Sequence, residues 1–306
     1  MQITIGQSVS ISGVGLHSGQ NINLTLHPAA ENSGITFIRI DVTQDKDRCI
    51  QALWNNVVDT KLCTVISNQD GVSVGTIEHL MAALRGSSID NVVVEIDGSE
   101  VPIMDGSAMP FITMIENAGS KELNAPKKSI RILKEVTVEK DGKVVTLAPS
   151  AISEFVGDIE FDHPSIGSQS FETQLVNGDF KHDIAEARTF GFLHEVEYLR
   201  ANGLALGGSL DNAIVLDEAR VLNPTGLRFE DEFIRHKILD AIGDLYLAGS
   251  PILGSYDGHK AGHEMNNLIL HALFADDSAW DYVESDMSVN QSLQTRNDTV
   301  KTAVFA

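Results

Sequence analysis

One segment constrains the fold more than any other, residues 232–248, with the sequence EFIRHKILDAIGDLYLA. If it is a helix, its polar side chains recur every four residues along one stripe: His236, Asp240 and Asp244. An amphipathic helix with a solvated polar face is the ordinary interpretation. However, Phe233 and Leu247 flank the stripe, and Gly243 lies within it. Because a mid-helix glycine costs about 0.5–1 kcal/mol relative to alanine, it indicates that something approaches the helix closely.

A second predicted helix, Thr76–Leu84, carries further polar side chains. Its apolar residues form one face, and Glu78 and His79 project from the other, beside two alanines that would admit a ligand. An imidazole and a carboxylate four residues apart can bind one cation, so His79, His236 and Asp240 can together supply three ligands. Three protein ligands and an open position define a catalytic zinc site, with Glu78 beside the bound water. Taken alone, Glu78 and His79 can be an ordinary surface pair, and the spacing of His236 and Asp240 can be a coincidence.

Composition excludes several functional classes. The chain has 306 residues, 43 of them acidic and 22 basic, for a net charge of -21. Binding to duplex nucleic acid needs a basic face, which this balance does not provide. The hydrophobic share of 42% is enough for a core. Cys49 and Cys63 are too few for a disulfide scaffold. With no secretory signal and no apolar run of roughly 18 residues, we expect a cytoplasmic protein without stable membrane insertion.

The two halves of the chain show a similar order of predicted elements. Strands are predicted over several segments: Asn21–His27, Ile35–Ile40, Asn91–Ile96, Ser129–Val138, Lys143–Leu147, Phe155–Phe161 and Ile252–Tyr256. Further helices are predicted over Pro110–Ala118, Phe180–Ala187 and Glu195–Ala201. Gly86 suits a left-handed cap after the first helix. The pattern breaks at Asn124–Lys128, a plausible linker. A duplicated strand-rich unit with helices on one face fits this order, and so does chance similarity.

Several separated motifs fall in the order of one known family. They are GVGLHSG (13–19), DTKLCT (59–64), the helix at 76–84, EARTFGF (186–192), LGGSLDN (206–212), RHKILDAIGDL (235–245) and GHEMNN (262–267). Over nearly its whole length the chain resembles the LpxC family, the UDP-3-O-acyl-N-acetylglucosamine deacetylases of lipid A biosynthesis. The resemblance implies an α+β fold of two similar domains, each a layered β-sheet packed on helices, with the active site between them.

The resemblance also implies where the active-site residues lie. Residues 1–125 would form the domain that supplies Glu78 and His79. Residues 126–306 would form the domain that supplies His236, Asp240, His263 and the acyl-chain passage. The activity implied is a zinc-dependent hydrolysis of an amide, which releases acetate.

Each candidate residue receives a role from the resemblance. Zn²⁺ would be bound by His79, His236 and Asp240, although the same ligands accept iron(II). Glu78 would be the general base, and His263 the general acid, oriented by Asp244. The Thr189 hydroxyl would bind the oxyanion, and Lys237 would support charge on the substrate or intermediate.

The implied substrate is a small molecule, UDP-linked acylated N-acetylglucosamine. Its acyl chain would be contacted by Phe190, Leu210 and Val215, each of which is equally ordinary as a core residue. The UDP group would be contacted by Lys143 and Phe161, together with the charge-supporting lysine. We expect the protein to be a monomer.

Two positions depart from the family pattern, and two alternative functions stay open. Lys61 stands where the family has an apolar residue, and Leu210 stands where some relatives have an aromatic one, so both can alter the acyl-length preference. One alternative is a zinc amidohydrolase on the same scaffold that acts on a different acylated sugar. The other is a binding module with a structural metal, although structural zinc sites are closed by four protein ligands.

Overall fold

The structure is a computed structural model that describes residues 1–43, 45–176 and 178–284. The elements of its first part are β1 (Ile3–Ile5), β2 (Val9–Val14), β3 (Asn21–Pro28), β4 (Ile35–Arg39), β5 (Cys49–Gln51), β6 (Val57–Asp59), β7 (Val65–Ser67), β8 (Ser73–Val74), α1 (Glu78–Gly86), β9 (Val92–Ile96), α2 (Met109–Ala118) and β10 (Ser120–Glu122). Polar and apolar residues alternate along β3, and its buried residues belong to the same hydrophobic core as the buried apolar residues of α1 and α2.

The second part of the chain repeats this mixture of short strands and helices. Its elements are β11 (Lys128–Ile132), β12 (Val136–Lys140), β13 (Lys143–Ala148), β14 (Ser153–Glu160), β15 (Ser168–Gln174), α3 (Asp179–Asp183), β16 (Phe190–Phe192), α4 (Leu193–Ala201), β17 (Ile214–Leu216), α5 (Glu232–Leu245), β18 (Ile252–His259), α6 (His263–Phe274) and β19 (Trp280–Glu284). Among the helices of the described residues, none combines the length and apolar character that crossing a membrane requires.

The same strand order occurs in both parts. The first sheet runs β2-β3-β9-β4-β5, and the second contains β12-β13-β18-β14-β15. In each, the central strand is antiparallel to the second strand and parallel to the fourth. A helix precedes each central strand (α1, α5) and another follows it (α2, α6). The prediction of an α+β fold built from two similar units is therefore confirmed.

The predicted domain boundary lies where the chain passes from one sheet to another. β10 pairs with β1, whereas β11 pairs with β18 and β19 of the second sheet. The boundary at residue 125 stays a prediction, and it falls between β10 and β11.

The helices α1 and α5 pack directly against each other at Gly243. A β-carbon at this position would lie 2.1 Å from the backbone oxygen of Glu78, so only glycine allows this approach. The close approach predicted from Gly243 is confirmed, and the approaching group is the backbone of α1. The interpretation of a solvated polar stripe is wrong, because the three side chains of the stripe are all buried: His236, Asp240 and Asp244.

Several predicted boundaries are wrong. The strand predicted over Ser129–Val138 is two strands, because β11 and β12 pair with different neighbours. Gly86 is the last helical residue of α1 and packs against the Phe180 ring, while Ser88 takes the left-handed conformation with φ 59°. The helix predicted over Phe180–Ala187 ends at Asp183.

Candidate active site

Three side chains converge where the helices α1 and α5 pack together. His79 comes from α1, and His236 and Asp240 come from successive turns of α5. The Nε2 atoms of His79 and His236 lie 3.6 and 3.4 Å from Asp240 Oδ1. One ligand atom from each residue lies within 4.8 Å of the other two. The three residues that the spacing selected are therefore placed together, in the part of the chain that the structure describes.

The donor set is suited to a metal ion. Asp240 Oδ1 is buried and has no hydrogen-bond partner among the described residues, which is costly for a carboxylate oxygen unless a cation meets it. Burial lowers the pKa of His236 to about 3, so its ring is neutral, as a ligand must be. His236 Nδ1 lies 3.1 Å from the Ala187 carbonyl and donates to it, which directs Nε2 toward Asp240.

A carboxylate and an imidazole lie beside this cluster. Glu78 Oε1 is 3.8 Å from His263 Nε2, and the other Glu78 oxygen accepts the Thr64 backbone N–H at 3.1 Å. Burial raises the pKa of Glu78, against the opposing charges of His263 and His79. Burial also disfavours a charged His263, but the carboxylates of Asp244 and Glu78 outweigh it and raise its pKa to about 9. Near neutral pH His263 is therefore an acid, and Glu78 is a base more easily protonated than an exposed carboxylate.

Asp244 holds His263 in one orientation. His263 Nδ1 is 2.8 Å from Asp244 Oδ2, and because a carboxylate only accepts, this nitrogen donates. Asp244 also accepts from the Thr64 hydroxyl at 2.6 Å and from the Asn266 amide at 2.9 Å. Thr64 and Asn266 received no role from the sequence, although both belong to motifs that carry the family resemblance. Tyr256 extends the network by donating to Asn266 at 2.7 Å.

One cavity of about 100 Å³ is lined by most of the predicted catalytic and metal-binding residues. They are Glu78, His79, Thr189, His236, Lys237, Asp240 and His263. Lys237 Nζ donates to Asp240 Oδ2 at 2.8 Å and lies 5.9 Å from the centre of the Phe190 ring. Asp244 does not line this cavity, but it accepts a hydrogen bond from His263, which does.

A neighbouring cavity of about 350 Å³ is mostly apolar. It shares Thr189 and Phe190 with the catalytic cavity and is also lined by Leu210 and Val215, which were predicted to contact an acyl chain. Lys61 is exposed and lies on the rim of a third cavity, next to Leu62.

Neither of the two predicted UDP contacts lines either cavity. Lys143 is exposed at the start of β13, and it is not among the residues that line either cavity. Phe161 is partly buried and packs edge-on against Phe190, with ring centres 5.9 Å apart, and so supports the lining without forming it.

A cluster of two imidazoles and a carboxylate that could hold a metal ion, beside a second carboxylate and a third imidazole, is an arrangement typical of a metallohydrolase. Comparison with known proteins shows which family of this class the chain matches. The family LpxC, described as UDP-3-O-acyl N-acetylglycosamine deacetylase, matches residues 2–275. The UDP-3-O-acyl-N-acetylglucosamine deacetylase of Neisseria meningitidis serogroup C is 49% identical over 286 residues, 93% of each chain.

Two further relatives bear the same name. The enzyme of Haemophilus influenzae is 49% identical over 284 residues, which is 92% of each chain. That of Neisseria gonorrhoeae is 47% identical over 286 residues, or 93% of each chain. The chain belongs to the LpxC family of deacetylases.

Proposed function

We propose that this chain is a zinc-dependent deacetylase that hydrolyses the acetamide of UDP-3-O-acyl-N-acetylglucosamine and releases acetate, a step of lipid A biosynthesis. The observation that carries the proposal is the meeting of His79, His236 and Asp240 beside Glu78 and His263, in a chain that belongs to the LpxC family.

Zinc fits the cluster better than a cation that prefers oxygen ligands. Two imidazole nitrogens and one carboxylate oxygen are typical zinc ligands, and Mg²⁺ or Ca²⁺ would favour oxygen. Tetrahedral ligands at about 2.0–2.1 Å from zinc lie about 3.3 Å apart. The His79–Asp240 and His236–Asp240 separations are 3.6 and 3.4 Å. When bound there, zinc acts as a Lewis acid and brings the pKa of water at the site to about 7.

Proton transfer is assigned to Glu78 and His263. Glu78 takes the proton of the attacking water, and its burial keeps the carboxylate close to the reacting atoms without bulk solvent. His263 gives its Nε2 proton to the departing amine, which is a poor leaving group until it is protonated. Asp244 keeps the opposite ring nitrogen occupied, so the transferable proton lies on the Glu78 side.

Charge that develops on the acetamide oxygen is met by two further groups. Thr189 lines the catalytic cavity and would donate its hydroxyl to the oxyanion. Lys237 keeps its ammonium group at the edge of the cavity by its hydrogen bond to Asp240. Its side chain is 24% exposed, so Lys237 can also meet the diphosphate. A local cation is needed there because the chain as a whole repels anions.

The apolar cavity favours an acylated substrate over an unacylated sugar. It adjoins the catalytic cavity at Thr189 and Phe190, and its aliphatic walls include Leu210 and Val215. We assign the acyl chain to this cavity. Roles for Lys143 and Phe161 in holding UDP stay predictions, as do the cytoplasmic location and the monomeric state.

Comparing two substrates tests the proposal. The purified protein is expected to release acetate from UDP-3-O-acyl-N-acetylglucosamine much faster than from UDP-N-acetylglucosamine, which lacks the acyl chain. Equal rates would contradict the proposed preference for the acylated substrate, and acetate release only from a different acylated sugar would favour the alternative amidohydrolase. Zinc bound without acetate release from either compound would favour a binding module.

A further inference from the structure

The most deeply buried ion pair near the site has no role in the steps above. Glu232 opens α5 and is fully buried, and Arg188, which is 5% exposed, lies against it. Glu232 Oε1 accepts from the Arg188 backbone N–H and from its Nε at 3.0 and 2.8 Å. Glu232 Oε2 accepts from Arg188 Nη2 at 3.1 Å and from the Arg228 backbone N–H at 2.6 Å. Four donors therefore fix one carboxylate.

Arg188 lies between Ala187 and Thr189, and both of these neighbours belong to the surroundings of the site. The carbonyl of Ala187 accepts from His236 Nδ1 at 3.1 Å, one helical turn beyond Glu232. Thr189 lines the catalytic cavity, and its backbone is held by Gly106 O at 2.9 Å and by Ile214 N at 2.8 Å. Moving Arg188 would therefore move both the group that orients His236 and the candidate oxyanion donor.

Building on the proposed function, we propose that Arg188 and Glu232 are positioning residues for deacetylation. The pair clamps residues 187–189 onto the first turn of α5, so that His236 points Nε2 at the metal position and Thr189 stays at the cavity wall. Neither residue lines the catalytic cavity, and each acts through a neighbour that does.

The bidentate geometry is essential to this role. A guanidinium presents its N–H groups in a rigid plane, which fixes direction as well as distance, whereas a lysine ammonium supplies the same charge without the fork. Arg188→Lys should therefore keep the buried charge paired and lose the orientation. The pair Arg131–Asp281 offers a matched control, because it is also bidentate, at 3.0 and 2.6 Å, but is exposed on β11 and β19.

The experiment compares Arg188→Lys with Arg131→Lys in two assays, deacetylation kinetics and calorimetric titration of Zn²⁺ into the metal-free protein. For Arg188→Lys we expect kcat and zinc affinity each to fall by about 10–100-fold, as when the partner of a ligating histidine is removed. The KM should stay within about threefold, since substrate contacts are kept. Arg131→Lys should change neither quantity.

A merely structural role predicts a different result. The melting temperature of Arg188→Lys would then fall, while the folded protein would keep wild-type kcat and zinc affinity; that outcome overturns the proposal, as does an equal loss in Arg131→Lys. If Arg188→Lys does not fold, Glu232→Gln, which keeps the side-chain volume and one acceptor oxygen, is judged by the same criteria. If the wild-type protein binds zinc but does not deacetylate, the proposed function fails, and the zinc titration still decides the role of the pair.

Discussion

Replacing Gly243 by alanine tests the packing that assembles the site. A β-carbon there would lie 2.1 Å from the Glu78 carbonyl oxygen, and real β-carbons keep at least 3.0 Å, so α1 and α5 must separate by about 0.9 Å, the difference of the two. That shift moves Glu78 and His79 away from His236 and Asp240. A misplacement of about 1 Å can cost about 100-fold in rate, and we expect a loss of that order in kcat.

The same substitution has a predictable effect on stability. Helix propensity alone would stabilise Gly243→Ala by about 1 kcal/mol. Overpacking costs about 1–3 kcal/mol, and a clash with rigid backbone belongs at the upper end of that range. We therefore expect the free energy of unfolding to fall by about 2 kcal/mol in chemical denaturation. Gly262→Ala is the control, because a β-carbon there meets nothing within 4 Å. A Gly243→Ala protein that is more stable than wild type, with normal kcat, would refute this account of the packing.

Three further substitutions test the metal ligands and the two candidate proton-transfer residues, Glu78 and His263. Glu78→Gln should retain zinc by metal analysis and lose most of its turnover, whereas Asp240→Ala should lose zinc affinity; a fully active Glu78→Gln variant would rule out the general base. The carboxylates of Asp244 and Glu78 outweigh burial and raise the pKa of His263 to about 9, so the protonated acid is lost as the pH rises through that value. Asp244→Asn lowers this pKa, and the alkaline limb of the pH profile of kcat/KM should move to lower pH; an unmoved limb would contradict the assignment.

The spacing of residues along the sequence predicted much of the candidate site. His236 and Asp240 are four residues apart on one helix, and this periodicity places them together whatever the rest of the fold does. Gly243 also gave a local signal, because a glycine inside a helix is unfavourable and therefore indicates a close approach by another group. The spacing could not exclude a solvated stripe, because the sequence of a polar helix face is the same whether water or another helix covers that face.

The contacts that orient these groups leave no such signal. The partner of His236 is the backbone carbonyl of Ala187, which any residue could supply at that position. Asp244 meets Thr64, 180 residues earlier in the chain, only because the two halves of the protein pack together. The order of strands in the two sheets likewise depends on pairings between distant segments. Local spacing therefore predicted that His236 and Asp240 lie together, the family resemblance assigned the catalytic roles, and tertiary contacts determine how these side chains are held.

Metal content measured together with deacetylation is the most direct test of the central claim. Purified protein should carry one zinc ion per chain and release acetate from UDP-3-O-acyl-N-acetylglucosamine. After chelation, both the metal and the turnover should be lost, and added Zn²⁺ should restore both. A metal-free protein with undiminished turnover would contradict the role assigned to His79, His236 and Asp240.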